Sequence, residues 1–220
     1  MKVVFDVNET LLDLSSLDVP FEQALGESTA RNEWFARLLH LSVLVTAMDT
    51  YRDFRTLAED ALAVVAAKRG IVVDPAAKDR IFETFRSLPP YPDVRPAIEY
   101  LTSAGVGVAA LTNSPLSTVE PQLLDAGLTP LFDEIMSVES TRRFKPHPAP
   151  YLMAAQRLGE DPADLWMVAV HDWDVAAAMK VGFRGAFLAR PGHIVTSCVE
   201  EPDLICSNLE ELAEALIDRA

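Results

Sequence analysis

Apolar residues follow two patterns along the chain, and each pattern predicts one type of secondary structure. Short continuous apolar runs are typical of strands that are buried in a parallel sheet. Apolar residues at intervals of three and four are typical of amphipathic helices. The runs predict strands over residues 2–5, 106–111, 135–138 and 165–170, and edge strands over residues 184–188 and 204–206. The intervals predict helices over residues 95–104, 149–158, 175–181 and 209–217, with another helix beginning near Pro115.

Strands and helices alternate after residue 91, which predicts βαβ units and a parallel sheet with helices on both faces. The first strand belongs to the same sheet, although a long segment of helical periodicity separates it from the others. Pro89, Pro90 and Pro92 end that segment and indicate a stiff hinge. We therefore predict an α/β fold, a doubly wound Rossmann-like core over residues 1–13 and 91–220, with an inserted all-helical cap over residues 14–90.

The charge of the chain limits the partners that it can have. Lysine and arginine number 19 and aspartate and glutamate number 33, which gives a formal net charge of −14. This balance argues against nucleic acid and membrane surfaces as partners. We expect a cytoplasmic protein, because no signal-peptide pattern or membrane-spanning run is found and Cys198 and Cys206 do not form a disulfide framework.

Polar residues follow three of the predicted strands at the point where each strand ends. Asp6 and Thr10 follow the first strand, Thr112 and Asn113 follow the second, and Asp174 comes shortly after the strand over residues 165–170. Ligands bind at the carboxyl ends of the strands in open parallel sheets. We therefore expect these side chains to converge on one site.

A basic loop over residues 142–145 supplies a cation for this site. Lys145 beside Asp6 keeps the carboxylate ionised, and Asp174 keeps the lysine charged and in place, which is a sensible arrangement for an aspartate nucleophile. Asp174 is also suited to N-cap the helix that follows it. Asp172 is expected to be an exposed turn residue.

These residues occur in the order of four motifs, and the chain resembles the haloacid dehalogenase superfamily over its whole length. Within that superfamily it is similar to the type II (L-)2-haloacid dehalogenases, which work without metal. The four motifs are Asp6 with Thr10, Leu111-Thr112-Asn113-Ser114, Lys145-Pro146 and Asp174. Three aromatic residues also match that branch. Tyr151 lies six residues after Lys145, Trp173 directly precedes Asp174, and Phe54 lies in a Tyr-x-Asp-Phe stretch of the cap.

The resemblance implies a two-step hydrolase reaction that needs no metal and no other cofactor. The Asp6 carboxylate attacks the carbon that bears the halogen and expels halide, and water then hydrolyses the aspartyl ester. The implied substrate is a 2-haloacid or a similar small carboxylate, and a homodimer formed through the cap is plausible. The implied catalytic residues are Asp6, Thr10, Lys145 and Asp174, and the implied substrate-binding residues are Thr112, Asn113, Phe54, Tyr151, His171 and Trp173.

The chain departs from the pattern of that branch at several positions. The family typically has an aromatic residue and then glycine where this chain has Asn8 and Glu9, which we expect to shape the turn. It also carries an arginine directly after a cap-helix tryptophan, where this chain has Phe35. Arg31 and Arg37 lie near that position, but we expect both to point away from it by about 160° or more. Halide capture would then fall to another group, such as His171, unless the substrate is not a simple haloacid.

Two alternative functions fit parts of the sequence. The first is a magnesium-dependent small-molecule phosphatase of the same superfamily. That branch typically has Asp-x-Asp at the first motif and an acidic metal ligand four residues before the later aspartate. Asn8 and Val170 occupy those positions here, and neither supplies an acid or an anionic ligand. A weakly active binding protein that keeps the fold is favoured by Phe35 in place of the arginine.

Overall fold

One parallel sheet organises the chain in the computed structural model, which describes residues 1–219. The strand order is β3-β2-β1-β4-β5-β6, and each neighbouring pair is parallel. The order reverses at β1, which hydrogen-bonds to β2 on one side and β4 on the other. The strands are β1 Lys2–Phe5, β2 Gly107–Thr112, β3 Glu134–Ser137, β4 Leu165–Ala169, β5 Arg184–Leu188 and β6 Leu204–Cys206.

The helices fall into two groups along the chain. The helices α1 to α4 come between β1 and β2 with no strand among them, and α5 to α9 alternate with or follow the remaining strands. This arrangement confirms the predicted α/β doubly wound fold. The helices are α1 Asp18–Leu25, α2 Ala30–Ala47, α3 Phe54–Lys68, α4 Pro75–Arg86, α5 Val94–Ser103, α6 Leu116–Asp125, α7 Pro148–Leu158, α8 Asp172–Lys180 and α9 Leu209–Ile217.

The prediction that residues 184–188 form an edge strand is wrong, because β5 pairs with both β4 and β6. A helix also covers this strand closely. A Cβ atom at Gly185 would lie 2.7 Å from Val175 Cγ1 of α8, so only glycine lets the helix approach the sheet this far. The described edges of the sheet are β3 and β6, and the edge prediction for residues 204–206 is confirmed.

Trp34 organises the packing of α1 to α4. Its indole ring is fully buried, and its Nε1–H donates to the Ala58 carbonyl of α3 at 2.9 Å. The rings of Phe21 and Phe85, from α1 and α4, lie 5.2 and 5.7 Å from the ring of Trp34. Because Trp34 fixes the rotation of α2 about its axis, it also fixes the direction in which the next residue, Phe35, points.

The two connections between the helical segment and the sheet run beside each other. Asp13 N–H donates to the Pro89 carbonyl at 2.8 Å, and Tyr91 N–H donates to the Leu11 carbonyl at 3.0 Å. Leu12 and Pro90 form an antiparallel bridge between these bonds. The prolines of the predicted hinge therefore lie in a short two-stranded connection.

A hydrogen bond ties α2 to the loop that carries Lys145. The Phe144 N–H, next to Lys145, donates to Thr46 Oγ1 at 3.0 Å. We expect Thr46→Val to lower the free energy of unfolding by about 1 kcal/mol, because the substitution removes the acceptor of a partly buried N–H. Chemical denaturation of this variant and of Thr46→Ser, which keeps the hydroxyl, measures the difference. Equal stabilities of the two variants would show that the bond contributes nothing.

Candidate active site

The predicted polar residues come together at the carboxyl edge of the sheet. Asp6 directly follows β1, Thr112 ends β2, and Asp174 lies in the first turn of α8 after β4. Since β1 lies between β2 and β4, the three strand ends surround the point where the strand order reverses. The loop after β3 brings Lys145 to the same point.

Lys145 lies at the centre of this group and is only 1% exposed. Its Nζ donates to Asp6 Oδ1 at 2.8 Å, to Asp174 Oδ2 at 2.5 Å and to the Leu111 carbonyl at 3.0 Å. These three bonds use all the N–H donors of an ammonium group. Burial alone would lower the pKa of Lys145, but the two carboxylates raise it overall, so the side chain stays charged.

Asp6 is held by both of its carboxylate oxygens. Oδ1 accepts from Lys145, and Oδ2 accepts from Thr10 Oγ1 at 2.8 Å. The Thr10 hydroxyl in turn accepts from Val170 N–H at 3.2 Å, which fixes its orientation. Burial favours a raised pKa for Asp6, but the charge of Lys145 and the hydrogen bonds lower it overall. The result is an oriented, ionised carboxylate that can act as a nucleophile.

Asp174 is fully buried behind Lys145, and its Oδ1 accepts from the Tyr151 hydroxyl. Burial raises its pKa to about 6, because loss of water outweighs the attraction of Lys145. The prediction that Asp174 N-caps the helix is wrong. The helix begins at Asp172 with His171 as the N-cap residue, so Asp174 lies inside the first turn and its side chain is directed to Lys145.

The prediction that Asp172 is an exposed turn residue is also wrong. It is the first residue of α8 and is partly buried. Its Oδ2 accepts from the N–H and the hydroxyl of Thr196 at 2.9 and 2.6 Å. Asp172 therefore fixes the loop after β5 against the start of α8.

The side chains of Thr112 and Asn113, at the carboxyl end of β2, accept hydrogen bonds from backbone N–H groups of the loops around them. Asn113 Oδ1 accepts from the Lys145 N–H at 3.0 Å, and Thr112 Oγ1 accepts from the Ser114 N–H at 3.1 Å. The N–H of Leu116, at the start of α6, donates to the Glu139 carboxylate at 2.9 Å. The first N–H of α6 is thus already paired with an anion and is not free to bind a substrate carboxylate.

Aromatic rings enclose the site on two sides. The ring of Phe54, from α3, lies 5.8 Å from the ring of Phe144, next to Lys145. On the other side, His171 stacks on Trp173 at 5.2 Å and faces Phe35 of α2 at 6.4 Å. Of the predicted aromatic residues, Phe54 therefore packs on the residue next to Lys145, Trp173 packs on His171, and Tyr151 contacts Asp174 through its hydroxyl.

His171 lies beside the nucleophile but carries no charge at neutral pH. Its Nε2 is 3.9 Å from Asp6 Oδ2. Burial lowers the pKa of His171 to about 4; the nearby Asp6 opposes this effect, while Lys145 and His193 add to it. A neutral imidazole cannot supply the missing cation, so the expectation that His171 captures halide as a cation is not supported by its charge.

Glu9 lies close to His171 and Arg31 lies close to Glu9, although the sequence assigned neither of them to the site. Glu9 Oε2 is 3.7 Å from His171 Nε2, and Glu9 Oε1 is 3.9 Å from an Arg31 Nη1 atom. The prediction that Arg31 points away from Phe35 is wrong. Four residues separate them, so they lie only about 40° apart on α2. Arg37, two residues beyond Phe35, borders a different part of the surface, as expected.

Among residues 1–219, no group of three or more histidine, cysteine, aspartate or glutamate side chains lies close enough to hold a metal ion. None of the helices within these residues is long and apolar enough to cross a membrane.

Comparison with known proteins places these residues in a family. The sequence model of the haloacid dehalogenase-like hydrolases matches residues 3–182. The (S)-2-haloacid dehalogenase of Xanthobacter autotrophicus is 33% identical over 191 residues, which cover 86% of this chain and 74% of that protein. The (S)-2-haloacid dehalogenase of Pseudomonas fluorescens is 28% identical over 98% of this chain and 96% of that protein.

Solved structures agree with the sequence comparison. The L-2-haloacid dehalogenase from Xanthobacter autotrophicus superimposes with a TM-score of 0.93 and 27% identity, over 100% of this chain and 99% of that one. The same enzyme with chloropropionic acid covalently bound gives the same score. The match in sequence and the shared fold confirm the resemblance seen in the motifs, and the chain belongs to the haloacid dehalogenase-like hydrolase family.

Proposed function

We propose that this hydrolase is a 2-haloacid dehalogenase in which Asp6 displaces halide without the help of a metal ion. The observation that carries the proposal is the contact of Lys145 with Asp6 and Asp174 inside the protein. The ammonium group supplies the positive charge that keeps a buried carboxylate ionised. The names of the relatives point to (S)-2-haloacids as the substrate class.

In the first step an oxygen of Asp6 attacks the carbon that bears the halogen. The new O–C bond forms as the C–X bond breaks, and the electron pair of that bond leaves with the halide. Thr10 and Lys145 hold the carboxylate in position for this attack. Phe54 and Trp173 border the site with apolar surface, which strengthens the charge interactions within it.

The substrate carboxylate needs a donor near Asp6, and Asn113 is suited to this role. Its Oδ1 is occupied by the Lys145 N–H, which fixes the plane of the amide. The Nδ2 donors of the same amide are then directed away from that bond and are available to an anion. Thr112 supports this loop through its bond to Ser114 N–H.

In the second step water adds to the carbonyl carbon of the Asp6 ester. The bond between that carbon and the ester oxygen, which came from Asp6, breaks, and this oxygen takes up one proton of the water and leaves as the hydroxyl of the 2-hydroxy acid. Asp174 is suited to accept the proton of the water, because its pKa is raised to about 6 and it lies against Lys145. Tyr151 holds Asp174 in place.

We propose that residues 14–90 act as a cap over this site, with residues 1–13 and 91–220 as the core. The packing of α1 to α4 around Trp34 and the paired connections at Leu12 and Pro90 support this division. Phe35 and Arg31 of α2 then reach the site from the cap. Association of two chains through the cap stays a prediction.

Halide release tests the proposal directly. We expect chloride release from (S)-2-chloropropionate that persists with EDTA, with (R)-2-chloropropionate as the matched substrate control. A parallel assay uses p-nitrophenyl phosphate with Mg²⁺. Magnesium-dependent release of phosphate without chloride would identify a phosphatase, and inactivity in both assays would favour a weakly active binding protein.

The environment of Asn8 argues against the phosphatase alternative. Its Nδ2 donates to Ser114 Oγ at 3.1 Å, and its side chain is buried. An amide has no acidic proton to give to a leaving alcohol at neutral pH. The residue therefore links the loops after β1 and β2 and cannot serve as a general acid.

A further inference from the structure

Glu9 adopts a backbone conformation that only glycine adopts without cost. Its φ angle is 64°, in the left-handed region, and it lies in the loop between Asp6 and Thr10. Residues with a Cβ atom are strained there, and such strain persists where a side chain has a function. The side chain of Glu9 therefore needs an explanation beyond the shape of the turn.

The carboxyl group of Glu9 is mostly buried, with 18% of the side chain exposed. Within residues 1–219 its contacts to polar side chains are long, at 3.7 Å to His171 and 3.9 Å to Arg31. Arg31 is already paired more closely with Asp18, at 2.6 Å. The carboxyl group thus lies beside His171, which also approaches the nucleophile, and it lacks a close partner of its own.

The charged and titratable groups that face Glu9 favour its neutral form. Burial raises the pKa of Glu9 to about 7; the charge of Arg31 opposes this rise, and the smaller effects of the negative charges of Asp6 and Asp13 add to it. His171 is neutral, because its pKa is lowered to about 4. Tyr91, which also faces this group, is neutral because its pKa is raised to about 12.

We propose that the protonated carboxyl group of Glu9 donates a hydrogen bond to the departing halide and selects substrates that release fluoride. The inference rests on the proposed dehalogenase function. Asp6 Oδ2 and Glu9 Oε2 lie 3.9 and 3.7 Å from the same atom, His171 Nε2, so a substrate beside this nitrogen can face the nucleophile with its carbon and Glu9 with its halogen. Negative charge develops on the halogen during the displacement, and a donor placed there lowers the barrier.

Fluoride gains most from such a donor, because it accepts hydrogen bonds more strongly than the other halides do. The bond between Asp6 and the substrate carbon forms, the C–F bond breaks, and its electron pair goes to fluoride. Glu9 keeps its proton and shares it in the hydrogen bond, so no co-reactant is needed. The ionised form of Glu9 would instead repel the halide.

The rate of fluoride release therefore depends on pH in a defined direction. Glu9 donates below its pKa and loses the donor as the pH rises through about 7. Fluoroacetate and bromoacetate serve as substrates, because they differ only in the leaving group. We expect kcat/KM of the wild-type protein for fluoroacetate to fall above neutral pH, with a smaller fall for bromoacetate.

Two substitutions at Glu9 separate the donor from the backbone. Glu9→Gln keeps an N–H donor that does not ionise, so the alkaline fall should disappear while fluoride release at pH 6 stays within about tenfold. Glu9→Gly removes the donor and fits the left-handed backbone, so we expect an unchanged or raised Tm. In this variant fluoride release should fall about 100-fold and bromide release much less.

Each other result overturns the inference. An alkaline fall that persists in Glu9→Gln, or equal losses of fluoride and bromide release in Glu9→Gly, would show that Glu9 does not contact the leaving group. Bromide release by the wild type without fluoride release would do the same. In these cases the dehalogenase function stands, whereas a wild type that releases no halide from any substrate removes both proposals.

Discussion

Lys145→Met is expected to abolish halide release and to lower the free energy of unfolding by about 3–5 kcal/mol, because it leaves buried carboxylates without their partner. The two carboxylates are Asp6 and Asp174, which lie 2.8 and 2.5 Å from the ammonium group. Urea denaturation at neutral pH measures the loss of stability. Chloride release from (S)-2-chloropropionate measures the loss of activity.

A matched substitution at an exposed lysine shows whether the loss of stability and of halide release is specific to the buried position of Lys145. Lys180 is 73% exposed and pairs with Glu200 at 3.1 Å. Lys180→Met should change the stability by less than about 1 kcal/mol and leave halide release intact, since exposed ion pairs contribute little. The deficit of Lys145→Met should also shrink at acidic pH, because Asp174 has a pKa of about 6 and becomes neutral there. Wild-type activity in Lys145→Met would contradict the role given to the ammonium group.

Asp6→Asn is expected to reduce halide release by at least about 1,000-fold while the protein stays folded. An amide oxygen is a poor nucleophile, and no other carboxylate among residues 1–219 contacts both Lys145 and Thr10. Lys145 keeps its bond to Asp174, so the buried ammonium group retains a partner. Halide release and far-UV circular dichroism check the two parts of this expectation.

Isotope labelling tests the same residue in the unmodified protein. In a single turnover in H₂¹⁸O with excess enzyme, the 2-hydroxy acid should carry unlabelled oxygen, because its new oxygen atom comes from Asp6. The label should remain on Asp6. Asp172→Asn serves as the control for the Asp6→Asn variant, since Asp172 binds Thr196 and has no contact with Lys145. Labelled product in the first turnover would point to direct attack by water.

Much of the fold could be predicted because its signals are local. The strands β1, β2 and β4 are short apolar runs, and the polar residues at their ends give the position of the site. The position of β5 was not predictable in the same way. Whether this strand has one neighbour or two depends on its pairing with β6, which lies elsewhere in the chain.

The start of α8 shows a second limit of the sequence. Residues 171–174 lie between the predicted strand and the predicted helix and have the character of a polar loop, because three of them are His171, Asp172 and Asp174. The helix nevertheless begins at Asp172, since the contacts of Asp174 with Lys145 and of Asp172 with Thr196 satisfy side chains that a local reading assigns to solvent. Bonds between distant segments decided the boundary.

The environment of Glu9 depends partly on local spacing in the sequence and partly on contacts between distant segments. The position of Arg31 follows from helical spacing alone, because it lies one turn before Phe35 on α2. The approach of α2 to the loop after β1 does not follow from spacing, because it depends on how Trp34 packs between Phe21 and Phe85. A pattern of residue types could therefore name Glu9 as unusual but could not give its neighbours.

The central position of β1 has a consequence for how this protein can change during evolution. Asp6 N–H donates to the Val168 carbonyl at 3.0 Å, and the strand before it is hydrogen-bonded on both sides. The backbone that carries Asp6 is thus held by the sheet and not by α1 to α4. Insertions, deletions and substitutions in these helices can accumulate while the attacking carboxylate keeps its place. Changes in the gene segment that encodes α1 to α4 can then alter which substrates bind, while the segment that encodes β1 and Asp6 preserves the reaction.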